Sequence, residues 1–301
     1  FNSLLKKSIQ IMKKISIVFS FFNEEVNIDE LIKRTINVLE KLKSYDYELI
    51  FVNDCSTDNS VEKIAKNPFT KKIKIINMKK NEGRDECVIV GLKNCSGDLI
   101  SYLDSDLQDP PELLSEMISL YETSNSDDTI IHSIRKKREG ESPFKLFLTL
   151  VAYKIINLLS YINLPIECGD FKLFTRKALN KCLTYNMSEM TYLRGLPFYF
   201  GYNQHFVFYN RKSRNIGESK FPILLSTGPI KNFSKAIYSF TNIHKYLNKI
   251  FIILNIILII TIALAFLKPT SIETGSEVVI IFATFYTMTF FLNYLLIRKK
   301  K

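Results

Sequence analysis

The feature that most constrains the fold is an apolar run at 99–103 that stops at two carboxylates one residue apart, Asp104 and Asp106. A short, mostly apolar run of this kind reads as a buried strand, as in a parallel sheet. Behind it, Gln108-Asp109-Pro110-Pro111-Glu112 carries a proline pair suited to the first turn of a helix. Open parallel sheets bind ligands beyond the carboxyl ends of their strands. Two acids at the frayed end of such a strand can therefore reach a hard divalent ion that already holds a diphosphate. The competing reading is a turn whose aspartates cap the next helix, and for an isolated D-x-D that reading is the commoner one.

The rest of the first half supplies a sheet for this strand to join. Apolar or β-branched runs at 15–19, 48–52, 73–77 and 129–134 alternate with helical patterns at 26–43, 58–66, 84–95 and 111–123. That order predicts an α/β fold, a mostly parallel sheet with helices on both faces. With 301 residues the chain can bury one large core or two modest ones. Ser142-Pro143 marks a helix start, Ser as N-cap and Pro at the first helical position. The stretch 144–162 is apolar on more than one face, so it is buried or touches lipid. Farther on, Phe233, Ile237, Phe240 and Ile243 recur at helical spacing with Lys231, Lys235 and Lys245 among them. That pattern suits an interfacial amphipathic helix and a core-facing helix equally well.

Charge and hydropathy point to a membrane. The net charge of +11 calls for a polyanionic partner: nucleic acid, anionic lipid or a phosphorylated substrate. Between 201 and 250 there are eight Lys or Arg against one acid, Glu218, and this stretch leads straight into the most apolar part of the chain. A lipid surface is the better match, and nucleic acid is not expected. Residues 250–267 are 18 without a charge and residues 278–297 are another 20, each long enough to span a bilayer. Lys245 and Lys249 precede the first run and Arg298 to Lys301 follow the second, while the loop between them carries one Lys and two Glu. The positive-inside rule then puts both ends in the cytoplasm. The expected organisation is an N-terminal extension at 1–11, a nucleotide-binding half at 12–135, an acceptor-binding and juxtamembrane part at 136–246, and a two-helix transmembrane hairpin at 247–298. Five cysteines with no C-x-x-C pair imply neither a disulfide framework nor a zinc site, in keeping with a reducing cytosol.

Further polar motifs fall just past the expected strands. Asn23-Glu24-Glu25 follows the first, with Asn23 placed to cap the next helix, and Asn53-Asp54 ends the second ahead of a capping run, Ser56-Thr57-Asp58. Asn81-x-Gly83-Arg84 follows the third, and Gly97-Asp98 precedes the fourth. Gly83 allows close approach of backbone to a ligand, and Arg84 suits a phosphate. Neither G-x-x-x-x-G-K-[ST] nor G-x-G-x-x-G occurs, which argues against P-loop and dinucleotide chemistry. His132, His205 and His244 share no metal-ligand spacing and read as packing or surface residues.

Taken in order, these motifs resemble family 2 glycosyltransferases, and within them the dolichyl- or undecaprenyl-phosphate sugar transferases. The second half extends the likeness: Arg135-x-x-Arg138-Glu139-Gly140-Glu141-Ser142, Gly169-Asp170-Phe171-Lys172-Leu173, Leu193-Arg194-Gly195-Leu196 and Arg211-x-x-Arg214-x-x-Gly217-Glu218-Ser219-Lys220. The resemblance covers about residues 15–245, and the two apolar runs fit bacterial members of that group. It implies a GT-A catalytic domain, a nucleotide-sugar donor, Mg²⁺ or Mn²⁺, and inverting transfer of one hexose to a polyprenyl phosphate at the cytosolic face of a bacterial inner membrane, with self-association plausible by analogy. By position, Ser20, Phe22, Glu24 and Asp54 would lie by the donor nucleoside and Arg84 by its phosphates. Asp104 and Asp106 would handle diphosphate and metal, with Gln108 as a further metal ligand. Arg135, Arg138, Ser142, Arg211, Arg214 and Lys220 would hold the acceptor phosphate or the sugar.

The chain departs from the usual pattern at four positions: Ser20 and Phe22 stand where Pro and Tyr are common, and Asn53 and Cys55 where Asp and Gly are common. Asp106 and Asp170 are the catalytic candidates, and Asp170 has two open chemical roles beside a third reading, a purely structural turn after Gly169. The resemblance makes it the general base. The chemistry allows it to position arginines or complete the metal shell instead, because a phosphate monoester has a second pKa of about 6 and reaches neutral pH already ionised. A glycosyltransferase that uses a hydroxyl acceptor would need Asp170, or another carboxylate, as a true base. A non-catalytic membrane scaffold is the remaining alternative.

Overall fold

Six of the seven strands among the described residues run the same way. The computed structural model describes residues 12–124, 126–138, 142–184, 192–211 and 227–241, with isolated helical positions at Ile253, Ile256 and Ile260. Its sheet comprises β1 (Lys13–Phe21), β2 (Tyr45–Asn53), β3 (Ile73–Asn77), β4 (Leu99–Asp104), β5 (Thr129–Arg138), β6 (Cys168–Thr175) and β7 (Asn203–Arg211), in the order β3-β2-β1-β4-β6-β5-β7. Only β6 is antiparallel, pairing β4 on one side and β5 on the other. The five expected strands are all present. The sequence reading left out β6 and β7, and β6 is what separates β4 from β5.

One face of the sheet carries the main core. Ile15, Ile17, Phe19, Leu49, Phe51, Leu99 and Leu103 are buried there with Leu31, Ile32 and Ile36 of α1 (Ile28–Leu39) and Leu114, Met117 and Ile118 of α4 (Leu113–Ser124). Phe19 and Phe51 stack with ring centroids 4.7 Å apart. Each such side chain contributes about 1.5–3 kcal/mol through removal of apolar surface from water. Val18 and Val52 point the other way and meet Gly91 of α3 (Arg84–Lys93), so helices cover both faces, as expected. Gly97, ahead of β4, lies so close to the first strand that a Cβ there would sit 2.7 Å from the Ser16 nitrogen and 2.8 Å from the Lys14 carbonyl oxygen. Asp98 beside it accepts a hydrogen bond from the Lys14 N–H at 2.8 Å. The Gly97-Asp98 motif is thus a backbone clasp on β1.

The helix α5 (Pro143–Leu159) starts where the sequence indicates, with Ser142 Oγ accepting from the Lys145 N–H at 3.3 Å. Its apolar character divides: Tyr153 and Ile156 are buried, while Phe144, Phe147 and Leu148 are exposed. The remaining helices are α2 (Ser60–Ala65), α6 (Arg176–Thr184), α7 (Leu196–Tyr199) and α8 (Thr227–Phe240), with a 3₁₀ turn at Thr70–Lys72. Two compact units partition the chain, residues 1–154 with 162–226, and residues 155–161 with 227–301. No helix among the described residues is long and apolar enough to cross a membrane. The runs expected to span the bilayer, 250–267 and 278–297, lie outside the described residues apart from Ile253, Ile256 and Ile260.

Candidate active site

Because six strands are co-directional, their carboxyl ends form one edge, and register fixes what meets there. Ser20 pairs with Asp104 across β1 and β4, Phe21 with Asn53, and Asn53 with Asn77. Across β5 and β7, Arg135 pairs with Tyr209 and Arg138 with Arg211. Acids therefore gather at the middle of the edge and arginines at one end.

The loops expected to lie by the donor nucleoside are tied to one another. Asn23 does not cap α1: its backbone is left-handed, φ 53°, and its Oδ1 instead accepts from the Thr57 N–H at 2.8 Å. Glu24 Oε2 accepts from Asn27 Nδ2 at 2.7 Å, and Glu25 N–H donates to Asp58 Oδ2 at 3.0 Å. Two successive strand ends are thereby clamped into one rim. Asn53 donates to Asn77 Oδ1 at 3.0 Å and accepts from the Ser56 N–H at 2.8 Å. Cys55 has φ 62°, a conformation that glycine enters without cost, which accounts for glycine being common there. Ser20 is buried, and its carbonyl accepts from Ser105 Oγ at 2.9 Å; Phe22, two residues on, is half-buried.

Asp54, just past β2 and 5 % exposed, accepts the Glu82 N–H at 2.8 Å on one oxygen and the Gly83 N–H at 3.0 Å on the other. It thus holds the loop that turns into α3 at Gly83, whose φ of 92° suits only glycine. Burial and the Asp54 charge push the thiol of Cys87 up to about 12. Arg84 opens α3 and pairs through Nε with Asp104 Oδ1. Its Nη2 lies 3.7 Å from Asp170 Oδ2 and is buried without a hydrogen-bond partner among the described residues.

Asp170, on β6, is gripped by Arg194: Nε donates to Oδ1 at 3.0 Å and Nη2 to Oδ2. Arg194 Nη1 in turn donates to the Tyr153 hydroxyl at 3.1 Å. The result is a chain of alternating charge, Asp104–Arg84–Asp170–Arg194. Burial opposes ionisation of Asp170, yet Arg194 and Arg84 hold it well below the usual carboxylate range. Burial pushes the Asp104 carboxyl up; Arg84 opposes the rise, and Asp106 and Asp170 add to it.

The acids fit a divalent cation in part. Asp104, whose ionisation is disfavoured by burial and by two neighbouring carboxylates, is the kind of hard oxygen ligand that a dication stabilises. Asp106 is half-buried and accepts from the Gln108 N–H at 3.2 Å across Leu107, itself left-handed at φ 57°. No group of three or more acids, histidines or cysteines among the described residues converges on a metal position. Asp104 and Asp106 would therefore share an ion with ligands from the substrate, and Gln108 is in reach by sequence.

The basic end of the edge is organised by Asp109, only 2 % exposed. Tyr209 donates its hydroxyl proton to Asp109 Oδ1, and Arg135 Nε donates to the same hydroxyl at 3.1 Å. Arg135 Nη2 lies 3.5 Å from Asp109 Oδ2, and Arg211 Nε 3.3 Å from Oδ1. Of the other acceptor candidates, Arg138 ends β5 in register with Arg211, and Ser142 spends its hydroxyl on the α5 cap. Arg214 and Lys220 lie outside the described residues.

Residues 16–183 match Glycosyl transferase family 2. This chain belongs to that family. As a family 2 glycosyltransferase it is 34% identical over 209 residues to YkcC, an uncharacterized glycosyltransferase of Bacillus subtilis (strain 168), covering 69% of this chain and 63% of the relative. It is 28% identical over 209 residues to a bactoprenol glucosyl transferase of Shigella phage SfV, covering 69% and 66%. The matched part spans a little under two thirds of YkcC and of a Synechocystis relative matched at 34% identity. Among solved structures, glucosyl-3-phosphoglycerate synthase of Mycobacterium tuberculosis, in complex with Mn²⁺, UDP and phosphoglyceric acid, superposes with a TM-score of 0.53 at 17% identity, over 74% of this chain and 77% of that one. That likeness shows the GT-A-like fold of this glycosyltransferase.

Several residues of the site were not assigned roles from sequence. Arg194 and Asp109 stood inside quoted motifs, but nothing local reveals that they meet Asp170 and Tyr209. Tyr153 and Tyr209 carried no signal beyond aromatic character. The wholly buried Lys172 bonds Gly169 O at 2.8 Å and His132 Nδ1 at 3.2 Å, while His132 stacks against Phe198 and Phe206, a packing role as expected.

Proposed function

We propose that this glycosyltransferase moves one hexose, with inversion, from a nucleotide sugar to a polyprenyl phosphate at the cytosolic face of a membrane. The observation that carries the reading is the state of Asp170. A carboxylate bound on both oxygens by Arg194, with Arg84 close by and its pKa held well down, is a poor acceptor for a hydroxyl proton. A hydroxyl acceptor would need such a base. A phosphate monoester, mostly dianionic at neutral pH, does not.

The arginines at the other end of the edge support the same acceptor. Arg135 and Arg211 share the one Asp109 carboxylate, which leaves the cluster an excess positive charge toward a phosphate dianion. Holding that dianion in line with the anomeric carbon does more for the rate than a base would. On the donor side, Asp104 and Asp106 would hold Mg²⁺ or Mn²⁺, which stabilises negative charge on the departing nucleoside diphosphate. Arg84 contributes a buried N–H next to those carboxylates. Asp170 fixes the two guanidiniums of Arg84 and Arg194 against each other. The bactoprenol glucosyl transferases among the relatives, and UDP-glucose in a solved complex of the mycobacterial synthase, support a lipid acceptor and a nucleotide-glucose type of donor. The apolar runs at 250–267 and 278–297 support a membrane anchor with both ends cytoplasmic.

The test is transfer by the purified full chain in detergent, with Mn²⁺, undecaprenyl phosphate and a panel of UDP- and GDP-sugars, read by mass spectrometry. A new sugar-phosphate lipid from one donor, absent with Asp106→Asn, is the expected result. Product only on hydroxyl-bearing glycans or lipids would replace the phosphate acceptor with a hydroxyl one. Loss of all metal-dependent nucleotide binding would point to a scaffold.

A further inference from the structure

We infer that Asp109 and Tyr209 are positioning residues that set the aim of the two arginines at the acceptor end. The inference rests on the phosphate-acceptor reading above, and it assigns to two residues a role exercised through the arginines they hold. Three elements with no local sequence relation meet at one carboxylate. Asp109 comes from the loop after β4, Arg135 from β5, and Tyr209 and Arg211 from β7. The parallel register of β5 with β7 sets Arg135 directly across from Tyr209. The phenol is then held at both ends: it donates to Asp109 Oδ1 and accepts from Arg135 Nε at 3.1 Å.

Arg135 is held at two atoms, Nε by the Tyr209 hydroxyl and Nη2 by Asp109, while Arg211 meets Asp109 through an ion-pair contact. Arg135 is 5 % exposed, and its Nη2 has only a long contact of 3.5 Å to Asp109 Oδ2. Arg211 Nε lies 3.3 Å from Asp109 Oδ1 but is not aligned for a hydrogen bond, so its N–H is buried without a hydrogen-bond partner among the described residues. Two guanidiniums against one carboxylate, with a donor unspent, make a preformed seat for an anion with several oxygens. If the aim were set by the arginines alone, their long side chains would have to be ordered each time an anion arrived. Asp109 and Tyr209 supply that order in advance.

The same loop begins at Asp104 and Asp106. Five residues after Asp104 it reaches the buried Asp109, between a left-handed Leu107 and the Pro110-Pro111 pair.

The experiment uses the full chain in detergent and two variants, Tyr209→Phe and Asp109→Asn. Tyr209→Phe keeps the ring and removes only the hydroxyl, so it remains informative even where Asp109→Asn, which strips the counter-charge from two arginines, fails to fold. The first readout is the stabilisation against heat given by millimolar inorganic phosphate, which needs no turnover. The second is the KM for undecaprenyl phosphate and for the donor sugar, measured separately. The expected result for Tyr209→Phe is a phosphate-induced shift cut by at least half and an acceptor KM raised about tenfold, with the donor KM within twofold of wild type. An unchanged phosphate shift and acceptor KM in folded Tyr209→Phe would overturn the inference, as would equal rises in both KM values. Loss of the phosphate shift in the variant, together with no transfer to undecaprenyl phosphate by wild type, would uphold the anion seat while rejecting the lipid-phosphate acceptor.

Discussion

Arg194 takes both oxygens of Asp170, Nε donating to Oδ1 at 3.0 Å and Nη2 to Oδ2. A fork-to-fork pair of this kind fixes the plane of the carboxylate as well as its charge. It also sets what pH can do to this enzyme. The folded pKa of Asp170 lies well below its unfolded value, so its ionised form contributes stability at all pH above the unfolded value near 3.9, and that contribution fades only as pH falls toward the lower folded value. Through the range where an enzyme assay runs, Asp170 does not titrate. On the phosphate-acceptor reading proposed above, the acid limb of kcat/KM should belong to that phosphate and fall near pH 6. Asp170→Asn should lower turnover at least a hundredfold by leaving Arg84 and Arg194 without their shared counter-charge, while the residual activity keeps the same limb. It should also cost about 3–5 kcal/mol of stability at pH 7, as removal of one member of a buried pair does. A limb that disappears in Asp170→Asn would return the residue to the role of base.

Asp54 predicts a split between donor and acceptor. Its oxygens accept the N–H groups of Glu82 and Gly83, and those bonds anchor the start of the helix whose first residue, Arg84, pairs with Asp104. Asp54→Asn turns one acceptor into a donor facing backbone N–H groups, at a cost of about 1–3 kcal/mol. Because the slack reaches Arg84, donor KM should rise about tenfold with acceptor KM nearly unchanged. A fall in Tm with no change in donor KM would confine Asp54 to stability.

Both the legible and the hidden parts of this site follow from how far apart the partners lie in sequence. Strands β1, β2, β4 and β5 announce themselves as apolar runs because their inner residues are buried, the edge strand β3 does so through its isoleucines although none of its residues is fully buried, and the D-x-D stands out because it ends such a run. Strand β6 is also buried throughout, but it carries Asp170 and Lys172 inside, and two charges broke the pattern that would have revealed it. Strand β7 buries Val207 and Tyr209 between the exposed Phe206, Phe208 and Asn210, so apolar residues stand on both its faces, and Asn203, Gln204 and Asn210 read as loop. With β6 and β7 unread, Asp170 could not be placed beside Arg194, nor Tyr209 across from Arg135. Capping logic also misled at Asn23, whose left-handed backbone turns its side chain to Thr57 rather than to the helix behind it. The membrane runs are legible in hydropathy alone, and they stand as a sequence expectation.

Acid sensitivity should trace first to Glu48, remote from the site. Its Oε1 accepts from Ser16 Oγ at 2.6 Å and from the Ser96 N–H at 2.7 Å, and its Oε2 meets Lys14 Nζ at 3.0 Å. Burial raises its pKa, but the hydroxyls, the Ser96 N–H and Lys14 outweigh that and bring it to about 2. A carboxylate depressed in this way stabilises the fold at pH above its unfolded value of about 4.3 and loses that effect as pH falls toward 2. Ser16 Oγ also accepts the Gly97 N–H at 2.7 Å, so Glu48 supports the clasp that seats β4 beside β1. Glu48→Gln keeps the shape and removes the charge, and it should cost about 1–3 kcal/mol at pH 7. The Tm gap between variant and wild type should then narrow as the pH is lowered from 5 to 3 and close as it approaches 2, because the unfolded chain takes up a proton at Glu48 before the folded one does. A gap that stays constant across that range would mean that packing, and not the charge, is what Glu48 contributes.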